Sequence, residues 1–270
     1  DIGNIDPVNP GASFATNVTI HVGDQSSFSP TVTTQTGPTI INIANTNPNH
    51  NAGGDIVLDG VIANAVAGST TTISADTGNI VNGAAGASIA TGALTLTTPG
   101  GHIGTSVSPL QITSTLFTAT AAGDIDVVEQ GDLILGGVVS TGGTVNLVAQ
   151  GSILDGLGGT ATDIVAHAIV LTANGGSIGA TSRALTIGTP SSASATSLSA
   201  TAHSGINIFG NAIAHQPATL NLNGATSVTG DITIETIDAF QAVDDIVLGA
   251  TTQVRASAGN VTLEAGDNFI

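Results

Sequence analysis

Residues Gly54–Gly83 read GDIVLDGVIANAVAGSTTTISADTGNIVNG. Two short phrases, Gly54-Asp55-Ile56 and Gly78-Asn79-Ile80, bracket short runs of β-branched and aliphatic residues. Runs this short, rich in Val, Ile and Thr and bounded by Gly, Asn and Asp, have the pattern of strands and turns, not of a helix. The phrase recurs down the chain: Gly101-His102-Ile103, Gly123-Asp124-Ile125, Gly131-Asp132-Leu133, Gly151-Ser152-Ile153, Gly176-Ser177-Ile178, Gly230-Asp231-Ile232 and Gly259-Asn260-Val261. Larger units repeat as well. Gly131–Gly156 and Asp244–Ile270 are versions of Gly54–Gly83, and GGHIGTSVSPLQI (from Gly100) returns as GGSIGATSRALTI (from Gly175).

A strand of a few residues cannot bury its apolar face alone. Stacking successive coils, each hydrogen-bonded to the next at about 4.8 Å, solves this for every coil at once. The reading is therefore an all-β chain, a right-handed parallel β-helix (β-solenoid) with coils of roughly 20–25 residues. Residues 53–270 form its shaft. Residues 1–52 hold five of the nine prolines and the Asn-rich stretch Asn45–Asn51, and are read as an irregular N-terminal β region or first coils. Within them, Ala15–Val22 and Thr39–Ala44 alternate like strands. Residues 188–197 (GTPSSASATS) read as a lateral loop, with Leu185 and Ile187 before it as core.

Composition narrows function. Charged residues make up 8% of the chain, against about 25% in ordinary proteins, yet 41% is hydrophobic, too much for a disordered tail. Aromatics are 2%, so the core is aliphatic. Nineteen acids face two bases, Arg183 and Arg255, giving a net charge of −17. That balance excludes nucleic acid, whose phosphates need Lys and Arg to displace counterions, and equally an anionic membrane surface. No apolar run of about 18 residues suggests a membrane span. Cysteine is absent, so no disulfide framework exists.

Carboxylates supply the candidate sites. Calcium takes about six to eight oxygens, and Asp55, Asp59, Asp124, Asp126, Asp244 and Asp245 are the places where Ca2+ would find carboxylates. No DxDxDG loop and no complete GGxGxD repeat accompanies them. Hydrolysis wants two carboxylates held close together. Asp124/Asp126, Asp244/Asp245 and Glu235/Asp238 are candidate pairs, but a chain without Lys would repel acidic glycans. The expectation is no enzymatic activity and no cofactor beyond Ca2+. The six histidines show neither HExxH nor paired spacing, which argues against zinc. Thr70–Thr72 and Thr95–Thr98 resemble the flat threonine arrays of ice-binding solenoids, but they do not recur at a fixed interval, which argues against that role.

At the units GGHIGTSVSPLQI and GGSIGATSRALTI, each followed by an Ala-Thr-Ala-type strand and a Gly-Ile strand, the chain resembles the large bacterial β-strand-repeat exoproteins, including adhesins similar to filamentous haemagglutinin. The resemblance spans roughly Gly53 to Ile270. It implies a parallel β-helix, export to the cell surface, and a structural or adhesive role in a filament, sheath or biofilm, with no catalytic residues in the shaft. The implied partners are cell-surface or matrix ligands. The last repeat, ending at Gly266-Asp267-Asn268-Phe269-Ile270, stops where its parallels run on, so copies stacked end to end or continuation of a longer chain are expected. The alternatives carried forward are a calcium-assisted ligand-binding adhesin module and a β-helical polysaccharide-active enzyme.

Overall fold

A computed structural model describes residues 18–21, 27–28, 32–33, 40–45, 54–159, 161–191, 195–211, 219–237 and 244–270. All regular structure among them is strand. The chain forms two compact units, Asp1–Glu129 and Gln130–Ile270. Each is a parallel β-helix, because the strand pairings described within it are parallel and join one coil to the next.

In the first unit, three files of aliphatic side chains fill the interior. Ile56, Ile80, Ile103 and Ile125 form one; Ile62, Ile89 and Ile112 a second; Ile43, Ile73, Leu96 and Ala119 a third. All are buried. The two alternating runs read near the N-terminus overlap the strands Val18–His21 and Ile40–Asn45, which pair with each other; Ile40–Asn45 pairs in turn with Thr70–Ala75. Period-2 alternation explains why such polar segments hold together. In Thr70–Ala75, Thr71, Ile73 and Ala75 point inward while Thr70, Thr72 and Ser74 remain half-exposed. The buried Thr71 hydroxyl donates to Thr91 Oγ1 at 2.9 Å and accepts from Asn64 Nδ2 at 3.2 Å, so the inner corner carries a satisfied polar chain.

The second unit repeats the plan. Leu133, Ile153, Ile178, Ile206, Ile232 and Val261 stand in one file, and Val145, Ile169 and Leu198 in another. Each fully buried Ile or Leu contributes about 1.5–3 kcal/mol of hydrophobic stabilisation. The coils are less regular than the sequence suggests. The turn of chain that carries Leu133 to its partner Ile153 is distinctly shorter than the one that carries Ile41 to Thr71 in the first unit.

The recurring phrase now has a physical cause. Its glycines are set by contact between coils: a Cβ on Gly78 would lie 2.2 Å from Gly54 O, one on Gly101 2.2 Å from Gly78 O, and one on Gly259 2.5 Å from Gly230 O. The polar residue that follows uses its side chain to accept the N–H of its counterpart one coil later. Asp55 Oδ1 accepts from Asn79 N at 2.8 Å, and Asn79 Oδ1 from His102 N at 3.0 Å. Asp132 Oδ1 accepts from Ser152 N at 2.7 Å, and Ser152 Oγ from Ser177 N at 3.2 Å. Asp231 Oδ1 accepts from Asn260 N at 2.7 Å. The third residue drops into the aliphatic file.

Gly104 and Gly179, at matching places in the two copies of the longer unit, do a different job. Both adopt positive φ (65° and 69°), and a Cβ on either would fall 2.2 Å from a carbonyl of the next coil. Each is followed by a tight hairpin closed by two backbone bonds: Thr105 with Ser108, and Ala180 with Arg183.

Replacing Gly78 by Ala forces its methyl into backbone with nowhere to move. Gly78→Ala is expected to lower the unfolding free energy by about 2–3 kcal/mol or more. Gly249→Ala, whose Cβ would meet nothing closer than Thr252 Oγ1 at 3.4 Å, is expected to shift it by less than about 1 kcal/mol. Urea unfolding of both variants measures the contrast, and equal losses would remove the coil-contact explanation.

Candidate functional site

The structure engages two of the six candidate calcium carboxylates, Asp55 and Asp245, in bonds between coils. Asp55 accepts both the N–H and the Nδ2 of Asn79, each at 2.8 Å. Asp245 accepts from Asn268 N at 3.1 Å and Asn268 Nδ2 at 3.0 Å. Asp59 packs over Gly83, where a Cβ would meet its Oδ1. Asp244 is fully buried; its N–H donates to Asp267 Oδ2 at 3.1 Å and its carbonyl accepts from Thr236 Oγ1 at 2.9 Å. Asp124 precedes the strand Ile125–Glu129 and is exposed, while Asp126 lies buried within it. Glu235 is half-buried in Ile232–Thr236, and Asp238 lies outside the described residues. Among the described residues, no three His, Asp or Glu side chains converge as a metal-binding group.

Residues Leu185 and Ile187 are buried. Of the lateral loop read at 188–197, residues 192–194 lie outside the described set. At its base Thr196 Oγ1 bonds to Ala166 O at 2.9 Å and Thr189 Oγ1 at 3.1 Å. Beside this base, Gly188, Thr196, Asn211 and Thr219 line a concavity of about 10 Å³, room for a single water.

Two features escape a reading of the sequence. The first is a threonine and serine face on the first unit. Parallel register aligns Asn42, Thr72, Thr95 and Thr118 in one outward file, and Ala44, Ser74, Thr97 and Thr120 in the next. Thr72, Thr95 and Thr118 are evenly spaced along the chain, so the threonines do recur at a fixed interval, contrary to the expectation from the runs alone. The files carry no charged residue. Hydroxyls repeat about 4.8 Å apart across coils and about 6.6 Å apart along each strand.

The second is a carboxylate pair beside a base in the second unit. Asp163 precedes the buried Ile164, which pairs with Val138 on one side and Ile187 on the other. Its Oδ2 accepts Thr186 N at 2.8 Å, and its own N–H donates to Thr186 O at 2.8 Å. This is the same coil-to-coil bond as in the glycine phrases, but Thr162 stands where the glycine would be, which disguises the pattern. Asp163 is wholly buried, and its Oδ1 has no hydrogen-bond partner. Its neighbour is Asp155, whose side chain is 3% exposed. Asp155 Oδ1 accepts Leu157 N at 2.6 Å and Gly158 N at 2.9 Å, and Oδ2 faces Arg183 Nε at 3.3 Å.

The environments drive the two carboxyls apart. Burial pushes Asp163 up; Asp155 adds to the rise, the Thr186 N–H and Arg183 oppose it, and the group titrates at about 7. Burial also pushes Asp155 up, but the Gly158 N–H, the Asp163 side chain, the Leu157 N–H and Arg183 outweigh it and hold that carboxyl below its ordinary value. Two neighbouring acids thus hold one proton, the usual outcome for close carboxylates in a dry setting.

Beyond these geometries, no family model, curated protein or solved structure matches the chain. No helix among the described residues is long and apolar enough to cross a membrane.

The titration has a sign. Asp163 holds its proton in the folded state up to about pH 7 but releases it near 3.8 when unfolded. The stability it contributes is complete below 3.8 and is lost as pH rises toward 7. The unfolding free energy of the unchanged protein is expected to fall from pH 5 to pH 8 relative to Asp163→Asn, which keeps an acceptor for Thr186 without an ionisable proton. Denaturant titrations at fixed ionic strength compare the two, and parallel curves would refute the assignment.

Proposed function

We propose that this chain is a non-catalytic, extracellular β-solenoid element of a bacterial surface filament, sheath or adhesin shaft. The observation that carries this reading is the stacking itself. Asp, Asn, Ser and Gly, the residue types from which sites are often made, are here largely engaged in binding each coil to the next. A shaft needs this arrangement, in which each coil presents the next with the same ladder. The resemblance to β-strand-repeat exoproteins supports the same role, and the acidic, lysine-free composition suits a surface facing salt water and proteases.

The face bearing Thr72, Thr95, Thr118, Ser74, Thr97 and Thr120 is the adhesive surface in this reading. It is a repeating, uncharged lattice of hydroxyl and methyl groups. Such a lattice suits a neutral hydroxylated polymer or matrix, because the protein's negative charge is kept off it.

Negative-stain microscopy of native material is expected to show rods or filaments; isolated globules would count against the shaft. Thr95→Arg with Thr97→Arg should abolish attachment to a neutral matrix while changing the unfolding free energy by about 0.5 kcal/mol or less, as surface substitutions do. Undiminished attachment would move the adhesive surface elsewhere. Release of new reducing ends from any polysaccharide by the purified chain would replace the proposal with an enzyme.

A further inference from the structure

Asp163 differs from Asp55, Asp132 and Asp231, which also link coils through a carboxylate. Asp55 is half-exposed, and Asp132 and Asp231 are exposed, so water can satisfy the oxygens that their backbone partners leave over. Asp163 has no such recourse: one oxygen is taken by Thr186, and the other is buried without a partner. A buried, unsatisfied carboxylate oxygen costs several kcal/mol. A proton removes the problem, since it turns the orphaned acceptor into a donor for Asp155.

Asp155 is the junction of two lateral segments. From one side it takes the Leu157 and Gly158 N–H groups, which begin the connection after the strand Ile153–Asp155. This connection turns on Gly158 and Gly159, both at positive φ (77° and 71°), and leaves Leu157 exposed. From the other side comes Arg183, the closing residue of the hairpin Ala180–Arg183 one coil on, with Nε on Asp155 Oδ2 and Nη1 3.4 Å from Asp155 O. The charged groups acting on Asp163 are Asp155 and Arg183. With Asp163 protonated, one carboxylate faces one guanidinium. With it ionised, two adjacent carboxylates share a single Arg, and what can give way is the glycine-hinged segment after Asp155, which is held only through the Asp155 side chain, together with the Arg183 hairpin.

We propose that Asp163, Asp155 and Arg183 form a proton-operated latch, which fastens the Gly156–Gly159 connection and the Ala180–Arg183 hairpin to the coil in acid and loosens them above neutrality. The lateral surface around Leu157 is thereby ordered at low pH and free at high pH, while the aliphatic files beneath are unchanged. In an exported protein, the latch would make this one flank respond to the acidity of its surroundings.

Two kinds of measurement on the full chain test this. The first is hydrogen exchange by NMR at pH 5.5 and 8.5, corrected for the intrinsic rate. The Leu157 and Gly158 amides, which donate to Asp155, should lose protection by about tenfold or more at the higher pH. The Thr186 amide, which donates to Asp163 itself, should keep its protection, because ionisation strengthens that acceptor. A loss at all three amides would indicate general loosening of the coil and overturn the latch, as would no loss at Leu157 and Gly158. In Asp163→Asn the Leu157 and Gly158 protection should be the same at both pH values; an unchanged pH response there would place the proton elsewhere and also overturn it. The second, independent of whether that variant folds, is the carboxyl-carbon titration of Asp163 in the unchanged protein. A midpoint near 7 supports the latch, and one near the ordinary carboxylate value refutes it.

Discussion

Adjacent coils lie one ladder spacing apart, about 4.8 Å, and that short distance decides which residues fit at each turn. At Gly78 it leaves no room for a methyl group above Gly54. At Asn79 it brings a backbone N–H within reach of the Asp55 carboxylate. At Ile80 it places one branched side chain directly on another. The three-residue phrase is the chemical imprint of one contact, seen from three consecutive positions. Neither a distant turn requirement nor a ligand is needed to account for it.

That origin explains what could be read in advance. Ile56, Ile80 and Ile103 are conspicuous because glycine and a polar residue precede each one, and parallel coils follow from their recurrence. Asp163 and Ile164 make the same coil-to-coil bond, yet Thr162 occupies the glycine position and conceals the pair. The outward threonines are legible as runs but not as files. Alignment of Thr72 with Thr95 and Thr118 depends on the pairing register, which the inward residues Ile73, Leu96 and Ala119 fix. The face is therefore ordered by residues on the opposite side of the same strand. Arg183 is prominent as one of two bases in the chain, but its partner Asp155 lies on the preceding coil, out of reach of any local pattern.

Carboxylates in this protein show how strongly context sets their character. Asp55 and Asp163 follow the same rule of bonding to the next coil's N–H. One is half-exposed to solvent; the other is enclosed and holds a proton into the neutral range. The difference arises from the enclosure of Asp163, since the ladder bond itself is the same in both. An ordinary structural device becomes a titrating one when its second oxygen is shut away from water.

The paired hairpins Thr105–Ser108 and Ala180–Arg183 share their glycine entry and their closing bonds but differ at the tip, Ser106-Val107 in one and Thr181-Ser182 in the other. Val107 is 94% exposed. A bracket whose frame is constant and whose tip varies is a natural point of insertion. Foreign peptides placed between Thr105 and Ser108 would be displayed at a defined position along the first unit, with the buried files left untouched.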